Sequence, residues 1–163
     1  MTEWVEVGAT APKFTLTATD GTKIRLADLK GTPVVLYFYP KDDTPGCTKE
    51  ACAFRDRKSD LEGLGARVFG VSPDDVDSHQ AFSEKFSLNF PLLADANHAV
   101  AEKYGAWRER NRYGKKFMGI QRSTFIIDVH GKVARMWKAV QVDGHDDKVL
   151  EALQKLVNES SKS

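Results

Sequence analysis

The chain has 163 residues, enough for one domain, and 41% of them are hydrophobic, or roughly 48% once the 12 glycines are added. Its 24 Lys and Arg are interspersed with 23 Asp and Glu for a net charge of +1, which argues against a nucleic-acid or membrane-surface role. The longest apolar run, 34–39, is too short to span a bilayer, and the acidic start Met1–Glu6 has no apolar core, so it does not read as a signal peptide. A cytoplasmic protein is expected, and there two cysteines serve as catalytic, metal-binding or merely buried groups rather than as cross-links.

Segments rich in Val, Ile, Phe and Tyr predict strands at 14–17, 34–39, 67–71, 123–127 and 132–137. Asp20-Gly21 marks a turn between two short extended pieces. Helical patterns fall at 45–63, 76–86, 97–104 and 144–158. The last is the clearest, with Val149, Leu150, Leu153, Leu156 and Val157 on one face. Asp74, Asp75 and Asp77 stand where a helix N-terminus favours negative charge, and no further ligand is spaced to make them a metal site. Asp128 to Gly131 joins the last two strands as a hairpin, and 158–163 reads as a frayed tail of a single domain spanning 1–163. The βαβ opening implies parallel central strands with a right-handed crossover. The order is that of a thioredoxin-like three-layer α/β/α sandwich with an N-terminal β-extension, its ligand site beyond the carboxyl ends of the parallel strands.

The strand 34–39 ends at Pro40, and the chemistry is expected in the dozen residues that follow. Thr44 suits an N-cap and Pro45 the first helical position. Cys47 then falls in the first turn, where free backbone N–H groups and the positive end of the helix dipole favour a thiolate. Cys52 follows five residues on. Along a helix that step separates the Cα atoms by about 8.7 Å, beyond the ~7 Å a disulfide tolerates. A bridge would therefore require the first turns to unwind, and Gly46 would ease that. No C-x-x-C and no nearby His supports zinc; His79, His98, His130 and His145 are scattered and read as surface or satisfied residues.

Pro40, Thr44 and Cys47 fit the pattern Pro-x-x-x-Thr-x-x-Cys, and with the string 37–51 the sequence resembles the peroxiredoxins, in particular the bacterioferritin comigratory protein (PrxQ) group. Further matches lie at 70–74, 90–95, 104–107 and 119–128. The resemblance implies a thiol peroxidase acting on hydrogen peroxide or organic hydroperoxides, with Cys47 as the attacking cysteine. Thr44 would bond thiolate and peroxide, Pro40 would shield the pocket, and Arg122 would fix the thiolate and polarise the peroxide. Glu50 orients Arg122 in this reading, or is a solvated helical glutamate. Tyr39 lines the pocket, or packs the strand. Cys52 matches the variant with its resolving cysteine five residues on, whereas the alternative position holds Ser83. An intramolecular disulfide, a monomer, and reduction by thioredoxin or a glutaredoxin are implied, with no metal, haem or flavin. Two other readings stand beside it: a thioredoxin-type disulfide oxidoreductase, which would want C-x-x-C, and a holdase or structural domain with inert cysteines.

Overall fold

The computed structural model describes residues 3–161. Nine strands and four helices alternate along them: β1 Thr15–Ala18, β2 Lys23–Arg25, β3 Val34–Phe38, α1 Pro45–Gly63, β4 Arg67–Ser72, α2 Val76–Lys85, β5 Leu92–Ala94, α3 Ala99–Tyr104, β6 Trp107–Arg112, β7 Lys115–Ile120, β8 Ser123–Ile127, β9 Val133–Trp137 and α4 His145–Ser161. Seven strands form one sheet in the order β2-β1-β5-β4-β3-β8-β9. β3, β4 and β5 run parallel, β8 and β9 continue antiparallel beyond β3, and the β1–β2 hairpin adds to β5.

Alternation along β3 shows how the three layers assemble. Val34, Leu36 and Phe38 point to the core shared with Val100, Ala101 and Tyr104 of α3. Val35, Tyr37 and, just past the strand, Tyr39 point the other way, onto Ala51, Phe54 and Leu61 of α1, Phe82 of α2, and Val149 and Leu153 of α4. A period of two on a strand buried on both faces needs an apolar residue at every position, as 34–39 has. On the α1 side Tyr37 stacks on Phe54, ring centroids 4.9 Å apart. Gly70 of β4 makes room for that ring, since a Cβ there would lie 2.8 Å from the Tyr37 Cζ.

The thioredoxin-like sandwich and its N-terminal β-extension stand as expected. The β8–β9 hairpin turns at Asp128, whose carboxylate accepts from the His130 and Lys132 amides. Two elements are additions. β5 is three residues, too short to carry a pattern. The β6–β7 hairpin forms a separate two-stranded ribbon that closes through Tyr113 and Gly114, both at positive φ. Both faces of that ribbon are largely exposed, so the run Arg108-Glu109-Arg110-Asn111-Arg112 needs no apolar alternation. The closing helix runs to Ser161, past the start of the frayed tail expected at 158. Residues 162 and 163 of that tail lie outside the described residues. Among those described, no helix is long and apolar enough to cross a membrane.

Candidate active site

The parallel strands deliver the chain to the site. Tyr39 continues β3 by donating its amide to Val71 O, and exposed Pro40 then turns the backbone away. Asp43 sits in the left-handed region at φ 57°, and Thr44 enters α1 extended at φ −103°, ψ 155°. Pro45 occupies the first helical turn as the sequence predicts, and the first helical bond runs from the Thr48 amide to Thr44 O. The Gly46 and Cys47 amides precede that bond and have no intrahelical acceptor, so they face outward at the helix's positive end. Thr44 holds the N-cap position without a side-chain cap bond. Its hydroxyl, expected at the thiolate, instead donates to Lys41 O at 2.8 Å and closes the turn of the loop.

Cys47 is 2% exposed, and the donor at its sulfur is Arg122, whose Nη2 lies 3.3 Å from Sγ. Arg122 stands between β7 and β8 and is anchored through its own carbonyl, which accepts from the Val140 amide. Its other arm, Nη1, donates to Glu50 Oε1 at 2.7 Å. Glu50 is one helical turn after Cys47, on the same face of α1, which is why one guanidinium reaches both. A charged fork with two separately aimed donors suits that task, where an ammonium would have to choose. Gly46 leaves the space this needs, since a Cβ there would sit 3.1 Å from Arg122 Nη2.

Burial pushes the Glu50 carboxyl up to about 7, against the opposing pull of Arg122's charge and hydrogen bond. Burial also works against the Arg122 charge, but Glu50 and Cys47 outweigh it and hold the guanidinium above its ordinary basicity. His145, paired with Thr124 Oγ1 at 2.8 Å, is driven the other way by burial and by Lys148, down to about 4. The two buried groups have opposite consequences. Glu50 binds its proton more tightly folded than unfolded, so its contribution is full below about 4.5 and is lost as pH rises through 7, about 3 kcal/mol in all. His145 binds its proton less tightly when folded, so its contribution is full above 6.5 and is lost as pH falls toward 4. Replacing Glu50 with Gln should therefore remove the first slope and leave the second. Urea unfolding at several pH values should show the variant gaining about 3 kcal/mol relative to the parent between pH 4.5 and 7. An unchanged difference across that range would mean Glu50 does not carry the proton.

The remaining expected residues are distributed less tightly. Cys52 is half-buried on α1, one and a half turns beyond Cys47, and both thiols are free. Glu50 is 2% exposed, so the solvated alternative for it does not hold. Tyr39 is buried, and its hydroxyl is committed to Asp42 Oδ1 at 2.6 Å, which favours the packing alternative. Pro40 forms one wall of a groove of about 500 Å³ that it shares with Pro73, Trp107, Arg110, Phe117 and Ile120. Tyr37, not singled out in the sequence, is buried in the same cluster as Cys47. Burial raises its hydroxyl's pKa well above the ordinary range, with Glu50 and Cys47 adding to the effect.

A buried first-turn cysteine held by an arginine at the end of a thioredoxin-like sheet defines a thiol-peroxidase class, and the comparisons agree. The AhpC/TSA family profile matches residues 7–136, and the chain belongs to that family. Within it the chain is a peroxiredoxin of the bacterioferritin comigratory protein and PrxQ kind. It is 53% identical over 141 residues to a Coxiella burnetii putative peroxiredoxin bcp, covering 86% of this chain and 93% of the relative. It is 46% identical over 158 residues to the Bacillus subtilis peroxiredoxin Bcp, covering 97% and 99%. Among solved structures, a Xanthomonas campestris peroxiredoxin Q superposes with a TM-score of 0.87 at 38% identity, covering 96% of this chain and 98% of that one.

Proposed function

We propose that the chain reduces hydroperoxides through Cys47 and that Cys52 resolves the product as an intramolecular disulfide. The observation that carries the proposal is the Cys47 sulfur itself. It is buried in a first helical turn and lies 3.3 Å from an arginine whose second arm is fixed by Glu50. The thiolate attacks one peroxide oxygen, the O–O bond breaks, and the departing oxygen leaves as water or an alcohol after taking a proton. Arg122 and the free Gly46 and Cys47 amides face the charge that develops on that oxygen. Thr44 adds a hydroxyl that can exchange Lys41 O for the peroxide, and Pro40 bounds the approach.

The sulfenic acid is then attacked by the Cys52 thiol, releasing water and forming the disulfide. Cys52 is the only other cysteine in the sequence. With both residues on α1, their Cα atoms lie about 8.7 Å apart by helix geometry, so the first turns must unwind before the sulfurs meet. A dithiol reductant of the thioredoxin or glutaredoxin type completes the cycle, in a reducing compartment such as the cytoplasm and with the chain working as a monomer. A Xanthomonas campestris bacterioferritin comigratory protein that superposes with a TM-score of 0.86 is described for alkyl peroxide reduction, which supports organic hydroperoxides as substrates here.

Intact mass after one equivalent of hydrogen peroxide tests the reading. A loss of two hydrogens that peptide mapping assigns to a Cys47–Cys52 bridge is expected; a gain of oxygen on methionine alone would overturn it. Replacing Cys52 with Ser should preserve one fast oxidation per chain and reduce thioredoxin-dependent turnover by at least tenfold. Cycling at the parent rate would remove Cys52 from the mechanism.

A further inference from the structure

The loop that leads into Cys47 is held by a buried network the catalytic cycle does not use. The Asp42 carboxylate receives the Tyr39 hydroxyl on Oδ1 at 2.6 Å and the Ser78 hydroxyl on Oδ2 at 2.8 Å. His79 Nδ1 lies 2.7 Å from the same Oδ2, and its Nε2 lies 2.9 Å from Leu93 O. A carbonyl can only accept, so Nε2 carries a hydrogen, and the short approach of Nδ1 to a carboxylate oxygen needs a proton between them. His79 is fully buried, with its ring joined at both ends. The Asp42 amide meanwhile donates to Asp74 Oδ2 at 2.7 Å, which also accepts from Ser72 Oγ. Asp42 is thus tied through side chain and backbone alike to the β4–α2 corner and to α2.

We infer that Asp42 and His79 are positioning residues for Cys47, a pin that fixes the start of α1 while its first turns fold and unfold. The inference rests on the proposed cycle. Two further features support it. Asp43, the next residue, holds φ 57°, a conformation that costs a non-glycine residue energy and persists only where its surroundings over-determine it. Its own carboxylate meets Lys85 Nζ at 2.8 Å, a second tether to α2. No part of this holding set lies on α1, so unwinding residues 45–52 leaves every one of these bonds intact. Asp42, Asp74 and His79 do bring ligand-capable atoms within 4.8 Å of one another. A cation among them would have to displace the Ser78, Tyr39 and His79 donors that already fill the Asp42 oxygens, so the group is a hydrogen-bonded pin.

A loosened pin lets Thr44 and the first turn of α1 shift, which carries the Cys47 sulfur off the Arg122 donor and so slows the attack on peroxide. It does not hinder the closure of the disulfide, which needs the helix open. Stopped-flow tryptophan fluorescence of the full chain resolves the two steps. In Asp42→Asn the second-order constant for oxidation should fall at least tenfold, while the first-order rate of disulfide closure stays equal or rises. Ser78→Ala removes one donor from the same carboxylate and should slow oxidation about threefold; it carries the test if Asp42→Asn does not fold. An oxidation constant within 1.5-fold of the parent in the folded variants would overturn the inference, as would an equal loss in both steps. A parent chain that forms no Cys47–Cys52 bridge would instead refute the cycle beneath it.

Discussion

Serine in place of Cys47 is expected to bring peroxide consumption down to the level of buffer with reductant alone. The substitution exchanges one atom at a site that is 2% exposed, so packing on Tyr37 and Arg122 changes little and the variant should fold. The chemistry does not survive that exchange. A serine oxygen is not ionised near neutral pH and a peroxide does not oxidise it, whereas a thiolate is both the nucleophile and the atom that accepts the oxygen. Cys52 remains in the variant, half-buried and within the field of Arg55, so the measurement also asks whether any thiol in this chain suffices. Consumption above about one per cent of the parent rate, with circular dichroism showing a folded chain, would move the attack away from Cys47.

Arg122→Lys should be the second-largest loss. The guanidinium donates from Nη1 to Glu50 and from Nη2 to the Cys47 sulfur, in directions that its planar fork fixes together. A lysine ammonium keeps the charge but offers it at one point, and Glu50, buried and 2.7 Å from the present donor, would compete with the sulfur for it. Losing one preorganised donor at a developing negative charge typically costs a factor of 10² to 10³, about 3–4 kcal/mol at the barrier. The constant for Cys47 oxidation in a single turnover should fall by that factor, while disulfide closure, which needs no oxyanion, should change less. A constant within threefold of the parent would mean that the free amides of α1 stabilise the departing oxygen unaided. Glu50, paired less well by a shared ammonium than by the guanidinium fork, would hold its proton more tightly, so the loss of stability should be greatest at alkaline pH.

How far the sequence discloses this arrangement depends on how local each contact is. The buried strand, the proline that ends it, the N-cap position and the first-turn cysteine lie within fifteen residues, and their order follows from alternation and helix-start chemistry alone. Arg122 is 75 residues from Cys47 in sequence, and nothing in its own neighbourhood distinguishes it from other surface cations. Only the family pattern singled it out. The Asp42–His79 pair depends on how α2 docks against the loop, so His79 read only as a surface or satisfied histidine and Asp74 as a helix-end charge. Thr44 shows the limit at a finer scale. Its residue type suits a cap, but its hydroxyl closes a turn with Lys41 O instead. The β6–β7 ribbon escaped for the opposite reason: it buries too little to impose any pattern.

The stack of Tyr37 on Phe54 sets a boundary inside α1. Upstream of Phe54 the helix buries only Cys47, Glu50 and Ala51, which carry little apolar surface among them. Downstream it is nailed to the sheet by Phe54 and Leu61, each 1% exposed or less. An opening that begins at Pro45 therefore gives up the Arg122 bonds but little apolar area until it meets the stacked rings, where it would have to tear aromatic area from the core. The rings act as a brake, and Cys52 lies two residues short of it. In the proposed cycle the oxidised chain would thus expose a six-residue cystine loop on an otherwise intact body, and a reductant would meet a folded protein with one loose thread rather than a half-melted one.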